Sequence, residues 1–169
     1  MKTDPSYDGL YKVLSEEKSL YQDLLALAQQ KKDAVIEGNV PLLDTIVARE
    51  RKSLSAVKQL ESRRAALLSE MAESGEIPSK DMTMEQIASH LGGDAGLRLH
   101  EIKREFNRII MELQRCNELN KKLIGTQLEY TAFWMDTFLQ AGNVGNNYNN
   151  AGQESRHNVE SMGILDKEI

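Results

Sequence analysis

Apolar residues recur every three or four positions along most of the chain, and this spacing predicts amphipathic α-helices. Three long stretches carry the pattern: Tyr7 to Glu37, Pro41 to Glu73, and about Ala95 to Gln140. Helices joined by short turns pack as antiparallel neighbours. The pattern therefore predicts an all-α fold, an elongated antiparallel helical bundle or coiled coil built mainly of three long helices.

Breaks in the pattern fall at residues 38–41, 74–79 and 92–94, where glycine or proline interrupts the apolar stripe. Glycine suits the end of a helix, and proline is tolerated in a first helical turn. Between the second and third breaks, Thr83 and Gln86 have the spacing of a capping box, in which each side chain accepts a hydrogen bond from the other residue's backbone NH. A short connecting helix is therefore predicted at this point.

The third long stretch has the most regular seam, with seam residues alternating by three and four. The seam consists of Leu99, Ile102, Phe106, Ile109, Leu113, Cys116, Asn120, Leu123, Gln127, Tyr130 and Trp134. Its average step of about 3.5 residues is the heptad spacing of helices that supercoil about one another. At a rise of about 1.5 Å per residue, the third helix would be about 65–70 Å long and the first two about 45–50 Å. The part of the third helix that exceeds the length of the other two must fold back, fray or project with its seam uncovered.

The surplus end of the third helix is rich in aromatic residues. Four of the nine aromatic residues in the chain lie there: Tyr130, Phe133, Trp134 and Phe138. An exposed patch of this kind is rare on a monomer unless something binds it. Two interpretations stay open. The segment binds a partner, or it is core, packed under the Tyr7 end of the first helix or in a homodimer.

Polar residues interrupt the seams at positions where a bundle places its core. Asn120 and Gln127 occupy consecutive seam positions of the third helix. Glu17 interrupts the apolar stripe of the first helix, and Glu50 and Arg64 interrupt that of the second. A buried amide fixes helix register and partner number at some cost in stability. We therefore predict that Glu50, Asn117 and Asn120 are core polar residues that set register, with a direct functional contact as the alternative. Glu50 and Arg64 are also candidates for pairing across helices.

The composition changes at Gly142, where the chain becomes rich in asparagine and glycine. These residues are poor formers of helix and strand, and few apolar groups offset the entropy of ordering. We therefore predict a helical domain at residues 1–141 and a flexible tail at residues 142–169. Tyr148 is an isolated aromatic residue in that tail, and a mobile segment with one anchor is typical of short docking motifs.

Charge and composition narrow the range of functions. The net charge of −5, from 21 basic and 26 acidic residues, disfavours binding to nucleic acid or an anionic membrane. A single cysteine, Cys116, and apolar runs too short for a signal peptide or a membrane span predict a cytoplasmic protein. Histidine spacing fits no recognised metal site, so we predict no metal and no other cofactor. An ordinary enzyme is disfavoured, and a helical-bundle enzyme or metal carrier is kept as a third alternative.

Several local motifs are similar to those of a known family. Residues 32–39 form a Lys-x3-Ile/Val-x-Gly-Asn turn, and residues 117–123 form an Asn-x-x-Asn-x-x-Leu run. Together with the order of the helices over about residues 10–140, these motifs resemble the FlgN family of flagellar export chaperones. In the tail, the run from Tyr148 to Gln153 is similar to the Tyr-x-x-x-Gly motif that follows the last helix in this family.

The resemblance implies a carrier without catalytic activity. FlgN family members bind the C-terminal segments of the two hook–filament junction (hook-associated) proteins, keep them from assembling in the cytosol, and bring them to the flagellar type III export apparatus. The resemblance further implies that the tail tyrosine contacts the cytoplasmic domain of the membrane export gate. Tyr148, Gly152 and Gln153 are the matching export-gate docking residues here.

The uncovered seam and the resemblance together indicate where a client would bind. The predicted client-binding residues are Leu128, Phe133, Trp134, Met135 and Phe138. A client segment that folds as an amphipathic helix would find a matching apolar groove there. The alternative function is that of a structural coiled-coil adaptor, which would use the same exposed seam for stable self-association.

Overall fold

The structure, a computed structural model, describes the backbone of residues 5–145 and the side chains of residues 7–140. This part of the chain forms four α-helices and no strand: α1 spans Pro5–Glu37, α2 Val40–Glu73, α3 Met84–Leu91 and α4 Gly93–Gly145. The predicted all-α class is therefore confirmed over these residues. The chain divides into two compact units, Met1–Tyr130 and Thr131–Ile169, and α4 contributes residues to both.

The break between α1 and α2 is built by Gly38 and Asn39. Gly38 has a φ of +66°, a left-handed conformation that glycine adopts without steric cost, and it follows the last residue of α1. Asn39 Oδ1 accepts a hydrogen bond from Leu42 N at 3.2 Å and caps α2, whose first turn contains Pro41. The predicted end of the first helix and the predicted start of the second, at residues 38–41, are therefore both present.

The short helix α3 begins with the predicted capping box. Thr83 N donates to Gln86 Oε1 at 2.8 Å, and Gln86 N donates to Thr83 Oγ1 at 3.2 Å. The helix buries Ile87 and Ala88 and ends at Gly92, whose φ is +61°. Two of the four exposed NH groups at its start are thus satisfied by side chains, which stabilises a helix of only eight residues.

Within the first unit, α1 and α2 are antiparallel. Arg64 Nη1 lies 2.6 Å from Glu17 Oε2, and Lys31 Nζ lies 2.6 Å from Glu50 Oε2. Residue numbers therefore rise along α1 while they fall along α2. Glu50 and Arg64, the two candidates for pairing across helices, each pair with a residue of α1.

The first unit's part of α4 runs parallel to α1. Tyr7 Oη donates to Ala95 O at 3.1 Å, and Asn120 Nδ2 donates to Ala28 O at 2.7 Å. The two contacts fix the helix direction, since the residue numbers rise together along both helices. With the offset of 92 residues in the second contact, the end of α1 at Glu37 lies level with residue 129.

The core of the first unit is largest where α3 packs against the other helices. This cluster of buried residues consists of Tyr7, Leu10, Leu14, Leu68, Met71, Ile77, Ile87, Ala88, Leu99 and Ile102. A smaller cluster of Leu27, Ala34 and Ile46 joins α1 to the start of α2. Burial of these apolar surfaces contributes the main favourable term in folding, at about 25 cal/mol for each Å² removed from water.

The seam of α4 is covered over only part of its length. Seam residues from Leu99 to Leu123 are buried or half-buried, whereas every side chain from Thr126 to Gln140 is exposed. α4 has 53 residues against 33 in α1 and 34 in α2, so the predicted surplus of the last helix is present. In the described residues, no helix combines the length and apolar character of a membrane span.

The end of α4 lies beyond the predicted end of the helical domain. We expected the last helix to end near Gln140, and α4 instead continues through Gly142 to Gly145. Residues 146–169 lie outside the described residues, and the division at 141 and 142 stays a prediction.

Candidate partner-binding surface

Three aromatic rings of α4 contact one another within the second unit, and we call them the aromatic cluster: Phe133, Trp134 and Phe138. The ring centroids of Phe133 and Trp134 lie 6.2 Å apart, and those of Trp134 and Phe138 lie 5.9 Å apart. The contacts follow from helix geometry, because positions 134 and 138 are about one turn apart. The three side chains are nevertheless 64%, 42% and 69% exposed. A cluster of this size in contact with water is suited to binding an apolar surface.

Met135 and Leu139 form a second exposed apolar group in the same unit, which we call the aliphatic pair. Their side chains are 60% and 65% exposed, and their spacing of four residues places them on one side of α4. Leu139 was not among the predicted client-binding residues. Leu139 could have been predicted from the sequence, because it lies four residues after Met135 and therefore on the same side of the helix.

The remaining predicted client-binding residue, Leu128, lies in the first unit. Its side chain is 65% exposed, and that of Tyr130 in the same unit is 58% exposed. Residue 128 is level with the last turn of α1, and the exposure begins where α1 ends. All five predicted residues are therefore exposed, and the structure brings three of them into one ring cluster.

One of the two sequence interpretations packs the aromatic segment under the Tyr7 end of α1. Other residues are packed against that end of the helix. Tyr7 and Leu10 belong to the large buried cluster, which includes residues of α3, and Tyr11 packs against it. The Tyr7 hydroxyl donates to Ala95 O at the start of α4. The Tyr7 end of α1 is thus covered by α3 and by the beginning of α4.

Two of the three predicted core polar residues are buried or half-buried in the first unit. Asn120 is 2% exposed and donates to Ala28 O, and the Glu50 side chain is 15% exposed and paired with Lys31. The oxygen of the same amide, Asn120 Oδ1, has no hydrogen-bond partner among the described residues. Asn117 is exposed, because it lies one position past the seam residue Cys116 and so about 100° round the helix. It does not belong to the buried polar set.

Glu17 is a further buried polar residue, and it is one of those that interrupt an apolar stripe in the sequence. It is 0% exposed and accepts a hydrogen bond from Arg64 Nη1 at 2.6 Å through Oε2, while Oε1 has no partner among the described residues. Burial raises the pKa of this carboxyl, and the Arg64 charge acts in the opposite direction. Its position in the apolar stripe of α1, three residues after Leu14, was the signal for its burial.

The described residues contain no group of three or more His, Cys, Asp and Glu side chains placed to hold a metal ion. The Cys116 thiol is partly buried on the α4 seam, and burial raises its pKa above the ordinary value. A thiol with a raised pKa is a weaker nucleophile at neutral pH, because less of it is ionised.

The tail residues predicted to dock the export gate cannot be placed with the rest. Tyr148, Gly152 and Gln153 lie outside the described residues. Their assignment therefore stays a prediction from the sequence.

Comparison with known proteins assigns the chain to a family. The family model FlgN, described as FlgN protein, matches residues 1–156. The chain belongs to the FlgN family. This family consists of flagellar export chaperones, and flagellar hook-associated proteins are the kind of partner that it binds. The resemblance drawn from the local motifs is thereby confirmed.

One curated relative of this FlgN chain comes from Bacillus subtilis (strain 168). It is named uncharacterized protein YvyG and is 23% identical over 124 residues, which cover 73% of the FlgN chain and 75% of that protein. No solved structure matches the FlgN chain. Family membership thus supports the general function, whereas the client-binding residues stay a prediction.

Proposed function

We propose that this FlgN chain acts in the cytoplasm, where it binds the C-terminal helical segments of hook–filament junction proteins. It prevents their premature assembly and delivers them to the flagellar type III export apparatus. The proposed client-contact residues are Leu128, Phe133, Trp134, Met135 and Phe138. The observation that supports this proposal is their exposure, between 42% and 69%, on one helix whose earlier seam residues are covered.

An exposed helix surface of this kind suits a client that is unfolded until it polymerises. Such a segment can fold as an amphipathic helix against the exposed apolar groups of α4. Ordering the segment costs conformational entropy, which offsets part of the contact free energy. Binding of this type is specific without being permanent, and a chaperone must release its client.

The test is a double substitution in the aromatic cluster, Trp134→Ala with Phe138→Ala. Isothermal titration calorimetry would measure the affinity for the C-terminal fragment of a junction protein. A central aromatic residue of an interface contributes about 2 kcal/mol or more, and such contributions are not additive. We therefore expect the double variant to lose at least the affinity that one such residue supplies, which is about thirty-fold. Helicity should not change, because both side chains are exposed.

The matched control is Leu97→Ala, which removes an equally exposed apolar side chain from α4 in the first unit. Leu97 is 68% exposed and lies near the start of the helix. We expect client affinity to stay within about two-fold of the wild type, since isolated exposed leucines are common on protein surfaces. Unchanged affinity in the double variant with intact helicity would refute the assignment of the aromatic cluster.

We also propose that Tyr148, with Gly152 and Gln153, docks the chaperone to the export gate. The Tyr148→Ala variant should bind the client normally and bind the cytoplasmic domain of the gate more weakly, by about ten-fold for the loss of one aromatic anchor. Both affinities would be measured by calorimetry on the full chain. Loss of client binding instead would assign the tail to the client-binding surface.

A further inference from the structure

The exposed apolar groups of the second unit fall on two different sides of α4. Successive residues of an α-helix are rotated by about 100°, so angular positions follow from residue numbers. Taking Phe133 as the origin, the aromatic cluster occupies about 0° to 140°. The aliphatic pair, Met135 and Leu139, occupies about 200° to 240° by the same geometry.

A polar strip lies between Leu139 and Phe133. Asp136 and Gln140 form it at about 300° and 340° on this scale, and the small side chain of Ala132 lies beside it at about 260°. Both polar side chains are exposed, as is every other side chain from Thr131 to Gln140. The large apolar side chains are therefore spread over roughly two thirds of the circumference, with Thr137 at about 40° and Thr131 at about 160° between them.

A single partner helix is too narrow to cover this arc. An amphipathic helix that packs on one neighbour buries a stripe somewhat wider than about 100°, and a coiled-coil seam is narrower still. A helix packed on the aromatic cluster would therefore leave Met135 and Leu139 in water. Helices that are apolar over most of their circumference are found buried among several neighbours.

We infer that the client covers α4 with two helical segments, one packed on the aromatic cluster and one on the aliphatic pair. This inference rests on the proposed function and specifies how the client binds. The strip of Asp136 and Gln140 stays in contact with solvent. A second copy of the chain is a less suitable occupant, because one α4 helix laid along another covers one side only.

Site-specific photo-crosslinking tests the inference on the full chain with a full-length junction protein. Benzoylphenylalanine would replace Phe133, Leu139 or Gln140, one position at a time, and mass spectrometry would identify the attached client peptides. We expect positions 133 and 139 to attach to two different helical segments of the client. Position 140 lies on the polar strip and serves as the control, with a lower yield expected than at the other two positions.

Three outcomes would overturn the two-segment arrangement. They are attachment of both positions to the same client helix, attachment from only one of them, and attachment of position 139 to a second copy of the chaperone. Calorimetry on the wild-type chain separates these outcomes from failure of the proposed function. If the client does not bind at all, the proposed function fails and the inference fails with it.

Discussion

Glu17 places a carboxyl group inside the first unit, where water does not reach it. The residue is 0% exposed, and only one of its two oxygens has a hydrogen-bond partner among the described residues, the Arg64 guanidinium. Burial separates the charged carboxylate from water, which costs free energy. This cost raises the pKa of Glu17 above its ordinary value of 4.5, despite the opposing effect of the Arg64 charge. The charge on Glu17 is thus a cost in stability, partly offset by its ion pair.

The raised pKa predicts a pH dependence of stability. Above pH 4.5 and up to the raised pKa of Glu17, the folded chain holds this proton more tightly than the unfolded chain does. The contribution of Glu17 to the free energy of unfolding therefore falls as the pH rises through this window. Glu17→Gln removes the titrating group, so the stability of the wild type relative to this variant should decrease as the pH rises from 4.5. Urea denaturation at several pH values would measure it.

The control for this prediction is Glu16→Gln, which removes a neighbouring carboxyl with a looser partner. Glu16 Oε2 lies 3.9 Å from Arg63 Nη1, and both side chains are substantially exposed. An exposed pair of this kind contributes little, so Glu16→Gln should change the free energy of unfolding by less than about 1 kcal/mol. A wild type that gains stability over Glu17→Gln with rising pH would contradict the assigned direction.

The sequence identified which polar residues stand on apolar stripes, but it could not identify their partners. Glu50 and Arg64 were candidates for pairing across helices, and each pairs with a different residue of α1. The choice of partner depends on the axial register of α1 and α2, and register results from packing over the whole length of both helices. Local spacing carries no information about it.

At the scale of helices, the breaks and the short helix were predictable because they depend on neighbouring residues. The capping box of Thr83 and Gln86 and the stop at Gly38 are local chemistry, and both are present. The candidate surface was predictable for a different reason, since a longer helix exposes seam residues that shorter neighbours do not reach. The last residue of α4 was not predictable, because asparagine and glycine disfavour a helix without excluding it.

Two glycines inside α4 have opposite surroundings, which predicts opposite effects of alanine. A Cβ added at Gly125 would meet no atom within 4 Å, whereas a Cβ at Gly96 would clash with the Ala88 carbonyl oxygen. Gly125→Ala should therefore raise the free energy of unfolding by up to about 1 kcal/mol, the difference in helix propensity. Gly96→Ala should lower it by about 1–3 kcal/mol, because the start of α4 must move away from α3.

Urea denaturation followed by circular dichroism would measure both variants against the wild type. The pair controls for the substitution itself, since both changes add one methyl group to the same helix. A loss of stability in Gly125→Ala would contradict the open surroundings of that residue. Equal stability of Gly96→Ala and the wild type would contradict the close approach of α3 and α4 at Ala88.

At the scale of the whole molecule, the exposed aromatic cluster is compatible with two kinds of partner. A chaperone would cover it with a client, whereas a structural adaptor would cover it with further copies of itself. Family membership supports the chaperone. The adaptor would require the same exposed side chains. The two functions differ in what changes the environment of these rings: addition of client, or a rise in chaperone concentration.

Trp134 reports on this difference directly, because it is the single tryptophan of the chain. Its side chain is 42% exposed, so its burial by a partner should shift the fluorescence emission to shorter wavelength. We expect this shift on addition of a client segment that lacks tryptophan. We expect no shift when the concentration of the chaperone alone is varied from about 1 nM to 100 μM, a range over which a self-associating adaptor would pass from monomer to oligomer. A variant combining Trp134→Phe with Leu97→Trp moves the reporter to an exposed site in the first unit and should not respond to the client. Emission that follows chaperone concentration and ignores the client would favour the adaptor over the chaperone, because the rings would then be covered by self-association.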